Sequence, residues 1–200
     1  HNVKYLIAGV AFLLVGGELA FMWWRPFLKE IGVPEERLGD ISMISAALCI
    51  AAPFAARRLL IIAGHERIFL AFYTLALAFV FGAVGLLPAP DASAGGSFGA
   101  AALAAITLFA VSDTRYSAMT PVTEPFLQRH IPSRLRATVS SFRSVALGLA
   151  VLCSRVLAWL VTEHLGMQYT IAAAGLFILP AVFFFLKLKR EGAAELNSLE

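Results

Sequence analysis

The sequence predicts an all-α, polytopic membrane protein: six transmembrane helices arranged as two inverted three-helix repeats. Three observations predict this class. The 200 residues are 60% hydrophobic and only 14% charged, with a mean hydropathy of +0.80, whereas soluble domains are about 45–50% apolar and about 25% charged. The apolar residues fall in continuous runs close to the roughly 20 residues that cross a bilayer. Two polar connections, "RPFLKEIGVPEERLGDIS" at 25–42 and "EPFLQRHIPSRLRATVSS" at 124–141, repeat one pattern with the charge reversed.

The spans are expected near residues 4–24, 39–60, 67–87, 98–119, 137–161 and 168–188. The runs are continuous and rich in Ala and Leu rather than alternating, which argues for helices over strands. Lys4 precedes the first span. The connection after the second carries Arg57, Arg58 and Arg67, that after the fourth Arg129, Arg134 and Arg136, and the segment after the sixth Lys187, Lys189 and Arg190. The intervening connections 88–97 and 162–167 hold no Lys or Arg, and the first connection balances its basic residues with Glu30, Glu35, Glu36 and Asp40. Basic residues thus mark every second connection, which predicts both termini on the cytoplasmic side, here of a bacterial inner membrane. The net charge of +3 follows from these loops, and no nucleic-acid partner is expected. Cys49 and Cys153 lie in apolar runs and read as membrane-buried side chains. No cleavable signal peptide is read at the start, and the polar 191–200 reads as an appended tail outside the fold.

The repeated connection has a topological explanation. The first copy leaves the first span and the second copy leaves the fourth. If residues 1–90 and 95–190 are two copies of a three-helix unit, the odd number of spans inverts the second. The charges are then reassigned by membrane side, while Pro-Phe-Leu and the later proline remain. Inverted repeats of this kind characterise secondary transporters.

Three passages resemble the carboxy-terminal six-helix half of a major facilitator superfamily transporter of the drug:proton antiporter kind. They are "WWRPFLKEIGVPEERLGDI", "IPSRLRATVSS" and "EHLGMQYTIAAAGLFIL". The passage "RRLLIIAGHER" stands where that superfamily's Gly…Asp…Gly-Arg-Arg loop would fall, but lacks the aspartate. The resemblance implies a secondary transporter working by alternating access. It would export a small drug-like or amphipathic substrate against protons, with no cofactor and no enzymatic step. It also implies a partner: members are about twice this length, so either a preceding six-helix half or a second copy of this unit is expected.

Ionisable side chains within spans are costly and mark function. Glu18 follows Gly16 and Gly17 and precedes Trp23 and Trp24. It is the leading candidate for a proton-responsive site, with Trp24 as a substrate-stacking candidate against the commoner reading of an interfacial tryptophan. Asp113, Arg115 and Tyr116 lie in the inner half of the fourth span or at its cytoplasmic end; Asp113 and Tyr116 share a face and are candidates for the substrate or proton pathway. An interfacial cluster is the competing reading. Pro121 and Pro125 are expected to end or kink that helix. Arg143 and Arg155 lie in the fifth span as gating or ion-pair candidates. Arg155 is deep enough to require an acceptor, and Glu18 stands at a similar depth.

Other signals are weaker. The Gly-x-Ser-x-Gly at 95–99 lacks the strand-turn-helix setting of a nucleophile elbow. His65, His130 and His164 lack metal-ligand spacing, and no phosphate-binding loop for ATP is present. A membrane-embedded enzyme or a dimerising membrane scaffold are the alternatives to transport.

Overall fold

The computed structural model describes residues 2–87 and 100–189. The connection 88–97, the Gly-x-Ser-x-Gly at 95–99 and the polar stretch 191–200 lie outside the described residues. The described chain is helical, without strands. Its helices are α1 (Asn2–Glu30), α2 (Leu38–Ala63), α3 (Glu66–Val84), α4 (Ala100–Asp113), α5 (Arg115–Arg129) and α6 (Arg136–Leu186).

Four stretches are long and apolar enough to cross a membrane: Asn2–Glu30, Glu35–Ala63, Glu66–Val84 and Ser133–Leu186. The sequence predicts six, and two places account for the difference. The expected span 137–161 and all but the last two residues of the expected span 168–188 fall within α6. Gly166 interrupts it with φ 81 and ψ 171, a conformation that suits glycine because no Cβ meets the backbone. Thr170 Oγ1 donates to the Gly166 carbonyl at 2.7 Å and meets the Thr162 hydroxyl at 2.9 Å. The two arms, 136–165 and 167–186, fold back on each other: Thr138 and Val139 line a cleft with Val3 and Ile7, while the backbone N–H of Lys189 donates to Asn2 Oδ1 at the same end of α1.

The expected span 98–119 is instead two short helices meeting at Thr114. The hydroxyls of Ser112 and Thr114 donate to the carbonyls of Phe109 and Val111, and such bonds compete with the helical ladder. Pro121 and Pro125 do not end the second piece; α5 passes through both and reaches Arg129. Buried Val122, Phe126 and Leu127 hold that extension against its neighbours.

Helices approach closely where residues are small. Gly16 lies on the Ala174 backbone, where a Cβ would come within 2.6 Å of the carbonyl oxygen, and Gly9 lies on the Phe185 ring. Gly175 lies against the Ala78 carbonyl of α3 in the same way. Apolar lipid gives no hydrophobic drive between helices, so close contact of this kind supplies the attraction. Helix α2 is peripheral, and its Ile50, Phe54 and Ile61 are exposed, as suits a lipid-facing helix.

The two Pro-Phe-Leu connections adopt the same backbone. Each helix runs through the motif, breaks, and meets a second proline with ψ 141, Pro34 in one and Pro132 in the other. A 3-10 turn follows, Glu35–Arg37 or Ser133–Leu135, and then the next long helix begins. The same side chains are buried in both: Phe27 and Phe126, Leu28 and Leu127, Val33 and Ile131.

Candidate functional site

Helices α1, α4, α5 and the first arm of α6 converge on a charged cluster near the middle of the bundle. Arg115 is its centre, and its side chain is only 4% exposed. It fits there because Gly17 has no side chain; a Cβ at that position would stand 2.5 Å from Arg115 Nε. Arg115 Nη2 donates to Glu18 Oε1 at 3.3 Å. Its Nη1 lies 3.8 Å from Asp113 Oδ1 and donates to the Ser112 carbonyl at 3.4 Å. The guanidinium also lies over the Tyr116 and Phe21 rings, at 4.8 and 5.5 Å.

Glu18 is the shared acceptor. Tyr116 Oη donates to its Oε1 at 3.3 Å, and Arg155 Nη2 donates to its Oε2 at 3.4 Å. The expected Glu18–Arg155 pair is therefore present, with a second arginine on the other oxygen. Asp113 is held in turn by the Ser45 hydroxyl of α2 at 2.5 Å. Two carboxylates thus face two guanidiniums. A buried charge is costly unless its partners and hydrogen bonds are in place; the two guanidinium nitrogens Nη1 and Nη2 of Arg115 have partners while its buried Nε has none, and Arg155 stays 45% exposed.

Asp113, Arg115 and Tyr116 stand mid-bundle. The reason is the extension of α5 to Arg129, which carries the end of that helical run well beyond them. Trp24 is 1% exposed, wedged against Phe27 and Phe109 with ring centroids 6.2 and 5.2 Å away. Arg143 stands apart from the cluster and forms a close ion pair with Glu124 of α5. Sequence reasoning noted Arg115 without assigning it a role. The adjacent Gly16 and Gly17 were the signal for it, since paired glycines mark a place where something large approaches. Ser45 gave no signal, being one of two serines in its helix.

Two clefts flank the cluster. One, of about 480 Å³, lies toward the C-terminal end of α1 and is bordered by Trp24, Phe109, Asp113 and Arg155. The other, of about 530 Å³, runs along α5 from Tyr116 to Pro125 beneath Pro53 of α2. They extend toward opposite ends of the bundle, and the charged cluster separates them. No protein-family model, curated protein or solved structure matches this chain.

Proposed function

We propose that this chain is one six-helix half of a proton-coupled secondary transporter of the major facilitator kind, built from two inverted three-helix repeats. It moves an amphipathic small molecule by alternating access. The observation that carries this reading is the Glu18 carboxylate, shared by Arg115, Arg155 and Tyr116 between two clefts. Two like-folded connections at opposite ends of the bundle support the inverted repeat. Counting the arms of α6 as two spans and α4 with α5 as one gives six crossings, with both termini on the cytoplasmic side.

Protonating Glu18 removes the charge that holds Arg155. The first arm of α6 is then released from α1, and the balance between outward- and inward-open forms shifts. A substrate-dependent change in that balance couples its movement to the proton. The test uses the full chain in vesicles with an imposed pH gradient and a panel of fluorescent amphipathic dyes. Wild-type protein is expected to move at least one dye in response to the gradient. Glu18→Gln mimics the protonated carboxyl and is expected to leave transport insensitive to pH, and Arg155→Ala to weaken that sensitivity. Wild-type pH dependence in both variants removes the coupling role from the pair.

A further inference from the structure

The cleft along α5 differs from the exposed face of α3. Exposed positions on α3 are apolar, Ile68, Phe72, Leu75 and Phe79 among them. The α5 cleft instead presents one polar stripe at helical spacing, Tyr116, Thr120 and Glu124, beside a row of Ser117, Pro121 and Pro125. Tyr116 at one end bonds Glu18, and Glu124 at the other pairs with Arg143 near the end of the bundle.

The prolines add acceptors. A proline in a helix supplies no N–H to the carbonyl four residues earlier. Pro121 and Pro125 therefore leave the carbonyls of Ser117 and Pro121 without their helical donors, and Pro53 across the cleft does the same for Cys49. Thr120 Oγ1 donates to the Tyr116 carbonyl at 2.8 Å, so its oxygen keeps lone pairs for a further donor. The lining of this open cleft of about 530 Å³ is otherwise largely apolar, so the oxygens of Tyr116, Thr120 and Glu124, with the freed carbonyls beside them, mark the one line along it where water finds partners.

We propose that this cleft is the proton-access path to Glu18, filled from the end where Glu124 and Arg143 lie. The proposal rests on the proton-coupled reading above and names its route. A hydronium ion enters beside Glu124 and passes one proton into a file of water along Thr120 and the freed carbonyls. The last water gives a proton to Tyr116 Oη as the Tyr116 O–H proton moves to Glu18 Oε1. One O–H bond is lost by the hydronium and one is gained at Glu18, while Tyr116 is neutral before and after. The charged and titratable groups facing Glu18 are Arg115 and Tyr116 from α5 and Arg155 from α6; Asp113 of α4 reaches it through Arg115.

The experiment follows Glu18 itself, without any substrate. The full chain in lipid nanodiscs is subjected to a rapid pH drop and observed by time-resolved infrared spectroscopy. The carboxylic-acid band belonging to Glu18 is identified by its loss in Glu18→Gln. Thr120→Val, which does not touch Glu18, is expected to slow the appearance of that band by about tenfold or more while leaving its pH midpoint in place. Thr120→Ser is expected to restore the rate. Pro121→Ala, which returns a donor to the Ser117 carbonyl, is expected to slow it too. Wild-type rates in both Thr120→Val and Pro121→Ala overturn the path. A midpoint that moves with sodium concentration also overturns it and assigns the cleft to a monovalent cation. Failure of dye transport alone counts against the transporter reading and leaves this measurement standing.

Discussion

The first and second Pro-Phe-Leu connections share a backbone and a buried core, yet tie themselves down differently. In the first, Lys29 pairs with Glu35 at 2.7 Å and Arg37 with Asp40 at 3.2 Å, so its ion pairs close within the connection. In the second, Arg129 reaches Glu66 at the start of α3 at 2.7 Å, and His130 Nε2 lies 3.1 Å from Asn2 Nδ2 of α1. The first is a self-contained corner, while the second gathers the starts of α1 and α3. Aligned on the motif, Gly16, Gly17 and Glu18 stand opposite Arg115, Tyr116 and Ser117. The stretch before the first motif supplies the small residues and Glu18, and the stretch before the second supplies Asp113, Arg115 and the Tyr116 phenol.

The largest expected effect comes from attacking what the two connections share. Phe27→Ala and Phe126→Ala each empty a buried site, with the parent residues 1% and 6% exposed, and each is expected to cost about 3–5 kcal/mol. Thermal unfolding in detergent should show comparable losses for the two. A large loss at only one site would break the structural equivalence.

Replacing the small residue ahead of the first connection comes next. Gly16→Leu sets a side chain against the Ala174 backbone, which cannot rotate away, and overpacking of this kind costs about 1–3 kcal/mol. The fully folded fraction after extraction should fall, whereas Tyr116→Phe at the position aligned with Gly17 should leave folding intact.

The smallest effects separate the two sets of ion pairs. Glu66→Gln removes a half-exposed pair that joins two elements, together with a negative charge at the start of α3. Its expected cost is about 0.5–1 kcal/mol, falling with added salt. Glu35→Gln removes a pair whose acid is 80% exposed, and unfolding should be unchanged within error. Equal effects of the two changes would erase the distinction between the self-contained corner and the gathering one.

Much of this was legible in the chain. Helical class and membrane character follow from composition and from the length of the apolar runs, because a bilayer-crossing segment must satisfy its own backbone. The paired connections were legible because proline and buried Phe-Leu constrain local geometry wherever they occur. The Glu18–Arg155 pair could be anticipated because a deep arginine needs an acceptor and few acids stand at its depth.

Other features depended on tertiary structure. Prolines within α5 suggested a helix end, and buried Val122, Phe126 and Leu127 carried the helix through them instead. That extension leaves Asp113, Arg115 and Tyr116 partway along the bundle rather than at the end of their helical run. The slot at Gly17 and the hydroxyl of Ser45 on Asp113 join residues remote in sequence. Composition and local propensity act within a few turns of chain and determine which segments become helices. Which charges meet depends on how those helices cross, and crossing is set by close packing among all of them at once.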